Sequence, residues 1–246
     1  MHFDKIHACG NDFILLDHTP NRKTIKEICH RQLGIGADGV MAYHQTAEGI
    51  RLEHFDPDGS FSYCLNGTRS TINCLYKKGL LPKRGMLKMG DRQIPYQIGE
   101  SPILFLEKAL FSEKQIETSL GPLTGYYVHV GNPHFILTQQ DEETYRKVAS
   151  EIRHNHVFPK GANVHWIQAV EQGYRILSYE RGVESFTLSC GSGSLATACL
   201  LFQRDQMEAV SFYPDGGGTI FFEAKGPIIA MHGEVFWVAE GEWLCS

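Results

Sequence analysis

Leu188-Ser189-Cys190-Gly191-Ser192-Gly193-Ser194 runs straight into the apolar stretch Leu195-Ala196-Thr197-Ala198-Cys199-Leu200-Leu201-Phe202. Small residues followed by good helix formers read as a loop feeding a helix N-terminus, where the first backbone N–H groups have no partner inside the helix. Cys190 stands at that opening. There the positive end of the helix dipole and the unpaired donors are expected to lower a thiol's pKa and to hold a carboxylate. The chain does this twice. Ser62-Tyr63-Cys64-Leu65-Asn66-Gly67-Thr68 leads into a helix-compatible run from Arg69 to Lys77, so a cysteine followed by x-[Asn/Ser]-Gly opens a helix in each half.

The surroundings repeat as well. Gly10-Asn11-Asp12-Phe13-Ile14-Leu15 precedes Cys64, and Gly131-Asn132-Pro133-His134-Phe135-Ile136-Leu137 precedes Cys190. Between block and cysteine come a polar turn, a helical pattern (24–31 and 142–153) and a Gly-Ala-Asp or Gly-Ala-Asn (Gly36-Ala37-Asp38; Gly161-Ala162-Asn163) before a strand. The spacing is 54 residues from Gly10 to Cys64 and 59 from Gly131 to Cys190. Four features in one order imply two homologous halves, 1–115 and 116–246, each presenting one cysteine to a shared cleft.

With 246 residues the chain is long enough for two domains of ordinary size. The balance of 23 basic and 28 acidic residues gives a net charge of −5 with no basic run, which recommends neither a nucleic-acid nor an anionic-membrane partner. Neither a signal segment nor an apolar run of membrane-spanning length is read, so a cytoplasmic protein is expected. Seven cysteines, an odd number with no Cys-x-x-Cys pair, argue against a disulfide framework or a zinc ribbon and for reduced thiols. Cys74 and Cys199, inside the two helices, read as small core residues. Cys9, Cys29 and Cys245 show no surrounding chemistry.

In chain order, residues 3–17 read as strand, turn at Gly10-Asn11, strand, followed by a helix from Thr24. Strands follow at 38–44 and 50–55, a turn at Asp56-Pro57-Asp58-Gly59 and the Cys64 helix, ended by Gly79. Short antiparallel strands are expected from Met86 to Leu110, and residues 111–125 read as the connection between halves. The second set comprises strands around 126–138, a helix at 142–154, strands at 163–170 and 173–180, the Cys190 helix to about Gln203, and closing strands from 209 to 244. Gly216-Gly217-Gly218 reads as a hairpin turn, because no strand–Gly–helix context makes it a phosphate loop. The class is α+β, with strands around one long helix per half.

Gly10-Asn11-Asp12-Phe13, Gly34-Ile35-Gly36-Ala37-Asp38-Gly39, Asp58-Gly59-Ser60 with Cys64-x-Asn66-Gly67, Gly131-Asn132-Pro133-His134, Tyr179-Glu180-Arg181-Gly182 and Cys190-Gly191-Ser192-Gly193 stand in the order found in diaminopimelate epimerases. The chain resembles that family from residue 10 to residue 193. The resemblance implies two pseudo-symmetric halves, each a β-barrel-like antiparallel sheet around a central helix, and a cofactor-independent epimerase, commonly a homodimer. It implies Asn11, Asn132, Asn163 and Arg181 as contacts to the distal amino acid end of the substrate, and His134 and Glu180 as groups near the thiols. Two departures bear on distal specificity: Asp56 stands where the family usually has Asn, and Leu65 replaces the Gly after the first cysteine.

The chemistry can be argued without the family. Inverting an amino acid at its α-carbon needs a base on one face and an acid on the other, so a thiolate and a thiol opposed across a cleft suffice. Backbone N–H groups of Leu65-Asn66 and Gly191-Ser192 would hold the α-carboxylate and favour the charge that develops there. Three readings follow: diaminopimelate epimerase, a related thiol-dependent racemase of another amino acid, and a thiol-lined binding or metal-storing module. The third lacks ligand-type spacing, so no metal site is expected. Taken singly, the Asn residues are turn formers and Glu180-Arg181 is a surface ion pair. It is the repeat that makes them a site.

Overall fold

The computed structural model describes residues 1–47 and 49–244. In chain order come β1 (His2–Ala8), β2 (Asn11–Leu16), α1 (Arg22–Cys29), β3 (Gly39–Thr46), β4 (Gly49–Phe55), α2 (Leu65–Lys77), β5 (Arg84–Met89), β6 (Arg92–Ile98) and β7 (Pro102–Glu107). Then follow β8 (Phe111–Thr118), β9 (Gly121–His129), β10 (Pro133–Leu137), α3 (Glu142–Arg153), β11 (Asn163–Val170), β12 (Gly173–Glu180), β13 (Ser185–Thr187) and α4 (Gly191–Arg204). The chain closes with β14 (Ala209–Pro214), β15 (Ile220–Lys225), β16 (Ile228–Gly233) and β17 (Phe236–Glu242). Cys245 lies outside the described residues.

Two compact units result, Met1–Leu106 with His232–Ser246, and Glu107–Met231. They differ from the halves read at 1–115 and 116–246 in one respect that matters: the C-terminal segment returns to the first unit. The cause is pairing, since β17 runs antiparallel along β1, His2 opposite Glu242 and His7 opposite Phe236.

In the first unit β1 and β2 form a hairpin whose turn sits at Cys9-Gly10, with φ of 50° and 80°. A two-residue turn matched to strand twist needs positive φ at both central positions. That shifts the expected turn back by one residue and makes Asn11 the first residue of β2, opposite Ala8. β2 pairs parallel with β3, β3 antiparallel with β4, and β4 parallel with β5. Parallel neighbours require a crossover, and α1 and α2 supply the two. Asn21 caps α1 by accepting from the Thr24 N–H at 3.0 Å, and the helix buries Ile25 and Ile28 against Ile14, Leu16 and Val40.

The second unit repeats the pattern. β9 and β10 are antiparallel, β10 and β11 parallel through α3, β11 and β12 antiparallel, and β12 and β14 parallel through α4. Asp141 caps α3, which buries Tyr145, Val148 and Ile152 against Phe135, Leu137, Val164 and Trp166. The sheets are therefore mixed rather than antiparallel as expected. Gly216-Gly217-Gly218 does lie between antiparallel β14 and β15.

Residues 111–125 are not a connection. They form β8, a turn at Ser119-Leu120 and the start of β9 at Gly121 (φ 97°), and β8 lies on β9 as β17 lies on β1. The sequence concealed this because Ile116 is the one residue of β8 with a buried side chain, so no apolar alternation marks it.

Each cysteine-led helix is the central one of its unit. α2 packs on β1, β2, β3 and β17, and α4 on β9, β10, β11, β14 and β15. α4 is buried continuously from Gly193 to Phe202, and α2 from Asn66 to Ile72. Cys74 and Cys199 are fully buried within them, as read from the sequence. Among the described residues no helix is long and apolar enough to cross a membrane.

Candidate active site

The two thiols are built alike. Cys64 is the N-cap of α2 with φ −131° and ψ 106°, and Cys190 the N-cap of α4 with φ −120° and ψ 101°. In each case the cysteine sulfur accepts the backbone N–H three residues on, from Gly67 or Gly193, at 3.4 Å. The hydroxyls of Thr68 and Ser194 donate back to the cysteine carbonyls at 2.8 and 3.0 Å. Extended backbone at the cap followed by small residues turns the chain sharply into the helix and leaves the thiol at its mouth.

Around Cys64 the first unit gathers Asn11 and Asn66. The Cys64 thiol donates to Asn11 Oδ1 at 3.9 Å, and Asn66 Nδ2 donates to the same oxygen at 3.3 Å. Asn11 Nδ2 is anchored on Asp38 Oδ2 at 2.9 Å, which fixes the amide's orientation. Behind Asn66 lies a group the sequence reading missed. Arg69 is fully buried and donates to Asn66 Oδ1 at 3.1 Å, while its Nε and one terminal nitrogen have no hydrogen-bond partner among the described residues. Burial pulls its guanidinium below the ordinary value, and Cys9 and then Cys64 act in the opposite sense. In the sequence it reads as one more helix-surface arginine.

Asp56 is committed to its own loop. Its carboxylate accepts from Ser62 Oγ at 3.1 Å and Ser60 Oγ at 3.4 Å and lies 4.0 Å from His54 Nδ1.

In the second unit Cys190 is almost completely buried. Burial, then the neighbouring Glu180 carboxylate, pushes its thiol well above the ordinary value, against the pull of Ser192 and the Gly193 N–H. The expectation that the helix start lowers this pKa is thus reversed, because desolvating a thiolate outweighs one helix terminus. Ser192 Oγ stands 3.7 Å from the sulfur, and Glu180 accepts from Thr187 Oγ1 at 2.5 Å. Asn163 uses both ends of its amide within the unit, donating to the Pro133 carbonyl at 3.2 Å and accepting the Arg181 N–H at 2.9 Å. The Arg181 guanidinium donates to the Lys160 carbonyl at 3.1 Å. The Asn132 carbonyl accepts the Val130 N–H and closes the turn before β10.

His134 is fully buried and shares a 2.8 Å hydrogen bond, Nδ1 to Nε2, with His165, which the sequence reading missed. The available signal was a histidine inside the apolar run Val164-His165-Trp166-Ile167, two residues from Asn163 and so on the same strand face. His134, His165 and Cys190 each bring one nitrogen or sulfur to within 4.8 Å of the others, a donor set a soft divalent cation could use. His2, Asp4 and Glu240 form a second such group, but Asp4 already takes the Lys78 ammonium at 2.6 Å.

Burial lowers His134 well below its ordinary value and His165 to about 3. A histidine held neutral in the folded state contributes stability that is full above the unfolded pKa near 6.5 and is lost as pH falls toward the folded value. Each then removes about 1.4 kcal/mol per pH unit. Between pH 7 and pH 5.5 the pair is expected to cost about 2–3 kcal/mol, and buried His54 shifts in the same direction. Urea melts at the two pH values check this, and stability that is flat or rising toward pH 5.5 contradicts it.

The comparisons with known proteins fall on this frame. A phenazine biosynthesis protein of the PhzF family from Enterococcus faecalis superposes with a TM-score of 0.78 at 15% identity, covering 99% of both chains. A probable proline racemase from Agrobacterium radiobacter superposes with a TM-score of 0.76 at 10% identity, covering 100% of this chain and 93% of that one. These likenesses define the fold class, α+β units of mixed sheet around a central helix. In sequence, residues 126–238 match the family model for diaminopimelate epimerase. The diaminopimelate epimerase of Methanocella arvoryzae is 33% identical over 98% of this chain and 95% of its own length, and that of Hydrogenobaculum sp. is 31% identical over 78% and 79%. The chain belongs to the diaminopimelate epimerase family and is an isomerase.

Proposed function

We propose that this enzyme interconverts LL- and meso-2,6-diaminopimelate by a two-base mechanism using Cys64 and Cys190, in the cytoplasmic route to lysine and peptidoglycan. The observation that supports it most is the duplicated cap: two cysteines with the same backbone angles and the same 3.4 Å contact to an N3 amide, each opening the central helix of its unit. One thiolate removes the α-proton from one face, and the other thiol returns a proton to the opposite face. The S–H formed at the first sulfur balances the S–H spent at the second. The opening N–H groups of the two helices, at Leu65-Asn66 and Gly191-Ser192, hold the α-carboxylate and the charge that grows on it. Arg181 grips the distal carboxylate, with Asn11, Asn132 and Asn163 shaping that end. Asp56 tunes the approach through its serine-bound loop.

The test is α-proton exchange and inversion followed by NMR in D₂O, with LL- and meso-diaminopimelate and a panel of ordinary amino acids. Exchange with inversion confined to diaminopimelate is expected. Exchange on another amino acid instead would make the chain a relative with altered distal specificity. None on any substrate under reducing conditions would refute the catalytic reading.

A further inference from the structure

Arg69 stands on α2 five residues after Cys64, and its side chain is fully buried. A row of side chains fixes it there. The guanidinium donates to Asn66 Oδ1 at 3.1 Å, Asn66 Nδ2 donates to Asn11 Oδ1 at 3.3 Å, and Asn11 Nδ2 donates to Asp38 Oδ2 at 2.9 Å. Each end of the row is of one kind only: a guanidinium cannot accept, and the Asp38 carboxylate, ionised against Arg31 at 2.6 Å, cannot donate. The amides of Asn66 and Asn11 therefore have one orientation each.

What the row leaves over is charge. A guanidinium keeps its proton even where burial disfavours it, and a buried charge without a counter-charge is strongly destabilising. Its Nε and one terminal nitrogen have no hydrogen-bond partner, and no carboxylate pairs with it, among the described residues. The groups that act on it are two thiols, Cys9 and then Cys64. Cys9, in the turn between β1 and β2, is buried, and burial keeps its proton on. Cys64 is only half-buried, so its thiolate retains part of its water. Of the two, Cys64 is the thiol able to supply the missing negative charge.

The other charges of the elements around α2 are already matched. Asp12 of β2 and Asp38 before β3 are held by Lys5 and Arg31, and Asp4 of β1 by Lys78. Burial disfavours charge on His54 of β4, Asp56 accepts from two serine hydroxyls, and Glu234 before β17 acts on Cys9. Asn11 Oδ1, 3.9 Å from the Cys64 sulfur, is engaged by Asn66 and opposes ionisation only weakly. The second unit lacks this cation: Leu195 stands five residues after Cys190. The charge acting on Cys190 is the Glu180 carboxylate of β12, beside neutral His134, His165 and Tyr145. Two caps of the same geometry thus stand in opposite fields.

Resting on the proposed two-thiol reaction, we propose that Arg69 is a positioning residue, the buried counter-charge that holds Cys64 as the thiolate of the free enzyme. The test is the pH dependence of iodoacetamide alkylation of the reduced full chain, read at the Cys64 peptide by mass spectrometry. In the wild type the midpoint is expected below about 7.5, roughly one unit under an ordinary thiol. Arg69→Gln keeps a donor for Asn66 but removes the charge, and should raise the midpoint by about one unit. Arg69→Lys keeps the charge and should move it less than half as far. The acidic limb of kcat/KM, which reports the base of the free enzyme, is expected to shift in parallel. If Arg69 only holds Asn66 in place, Gln and Lys behave alike, and that result overturns the proposal. So does a wild-type midpoint above about 7.5, which decides the matter should neither variant fold. Alkylation needs no substrate. A protein with the expected midpoints that inverts nothing would refute the epimerase reading and leave this one standing, whereas inversion with midpoints indifferent to the charge at residue 69 would do the reverse.

Discussion

Cys190→Ser is expected to abolish inversion, lowering it by about 10⁴-fold, while leaving the fold intact. Serine is among the preferred N-cap residues and can accept the Gly193 N–H that the sulfur now takes at 3.4 Å, so the start of α4 keeps its cap. What the substitution removes is the acidity. An alcohol gives up its proton far less readily than a thiol, and burial beside Glu180, which already pushes the thiol well up, would push an alcohol further. Cys64→Ser should be equally silent in inversion, since each face needs its own proton carrier. Circular dichroism melts within about 1 kcal/mol of wild type, together with the NMR inversion assay, separate the two effects. A serine variant that still inverts diaminopimelate at a tenth of the wild-type rate would show that the thiol at that position is not a proton carrier.

The sequence carried the local part of this arrangement. A helix start is written in a few consecutive residues, so both capping cysteines, the ends of α2 and α4 near Lys78 and Gln203, and the bounds of β11 and β12 were readable from spacing alone. Pairing between distant segments was not. β17 returns to β1 across nearly the whole chain, and polar β8 finds its place only because β9 lies beside it. The same division runs through the site. Asn11 and Asn66, which meet at Cys64, belong to recognisable local motifs, whereas His165 and Ser178 meet through strand register and Arg69 through the burial of a helix face. The direction of the Cys190 shift was misread for that reason as well: a helix terminus is visible in sequence, and the desolvation that outweighs it is not.

Gly193→Ala joins the fold and the site in one substitution. The residue occupies the third position of α4, where alanine is intrinsically better than glycine by up to about 1 kcal/mol. Here that gain is outweighed. The new Cβ would lie 2.2 Å from His165 Cε1, 2.6 Å from Nε2 and 2.7 Å from Nδ1, and the ring is held on both sides by Ser178 and His134. Neither partner has room to yield, since α4 is buried along its length and the Gly193 carbonyl takes the Thr197 hydroxyl at 2.8 Å. Overpacking of this kind costs about 1–3 kcal/mol, and any relief by rotating His165 breaks its buried hydrogen bonds to Ser178 and His134. The variant is expected to lose about 2 kcal/mol in urea melts and at least about a hundredfold in turnover. The equivalent glycine of α2 provides the control. A Cβ on Gly67 meets Met41 Sδ at 2.5 Å, an atom near the end of a flexible side chain that can swing aside, so Gly67→Ala should cost less in both measurements. Equal losses at the two positions would mean that the crowding of His165 is not what sets the effect at Gly193.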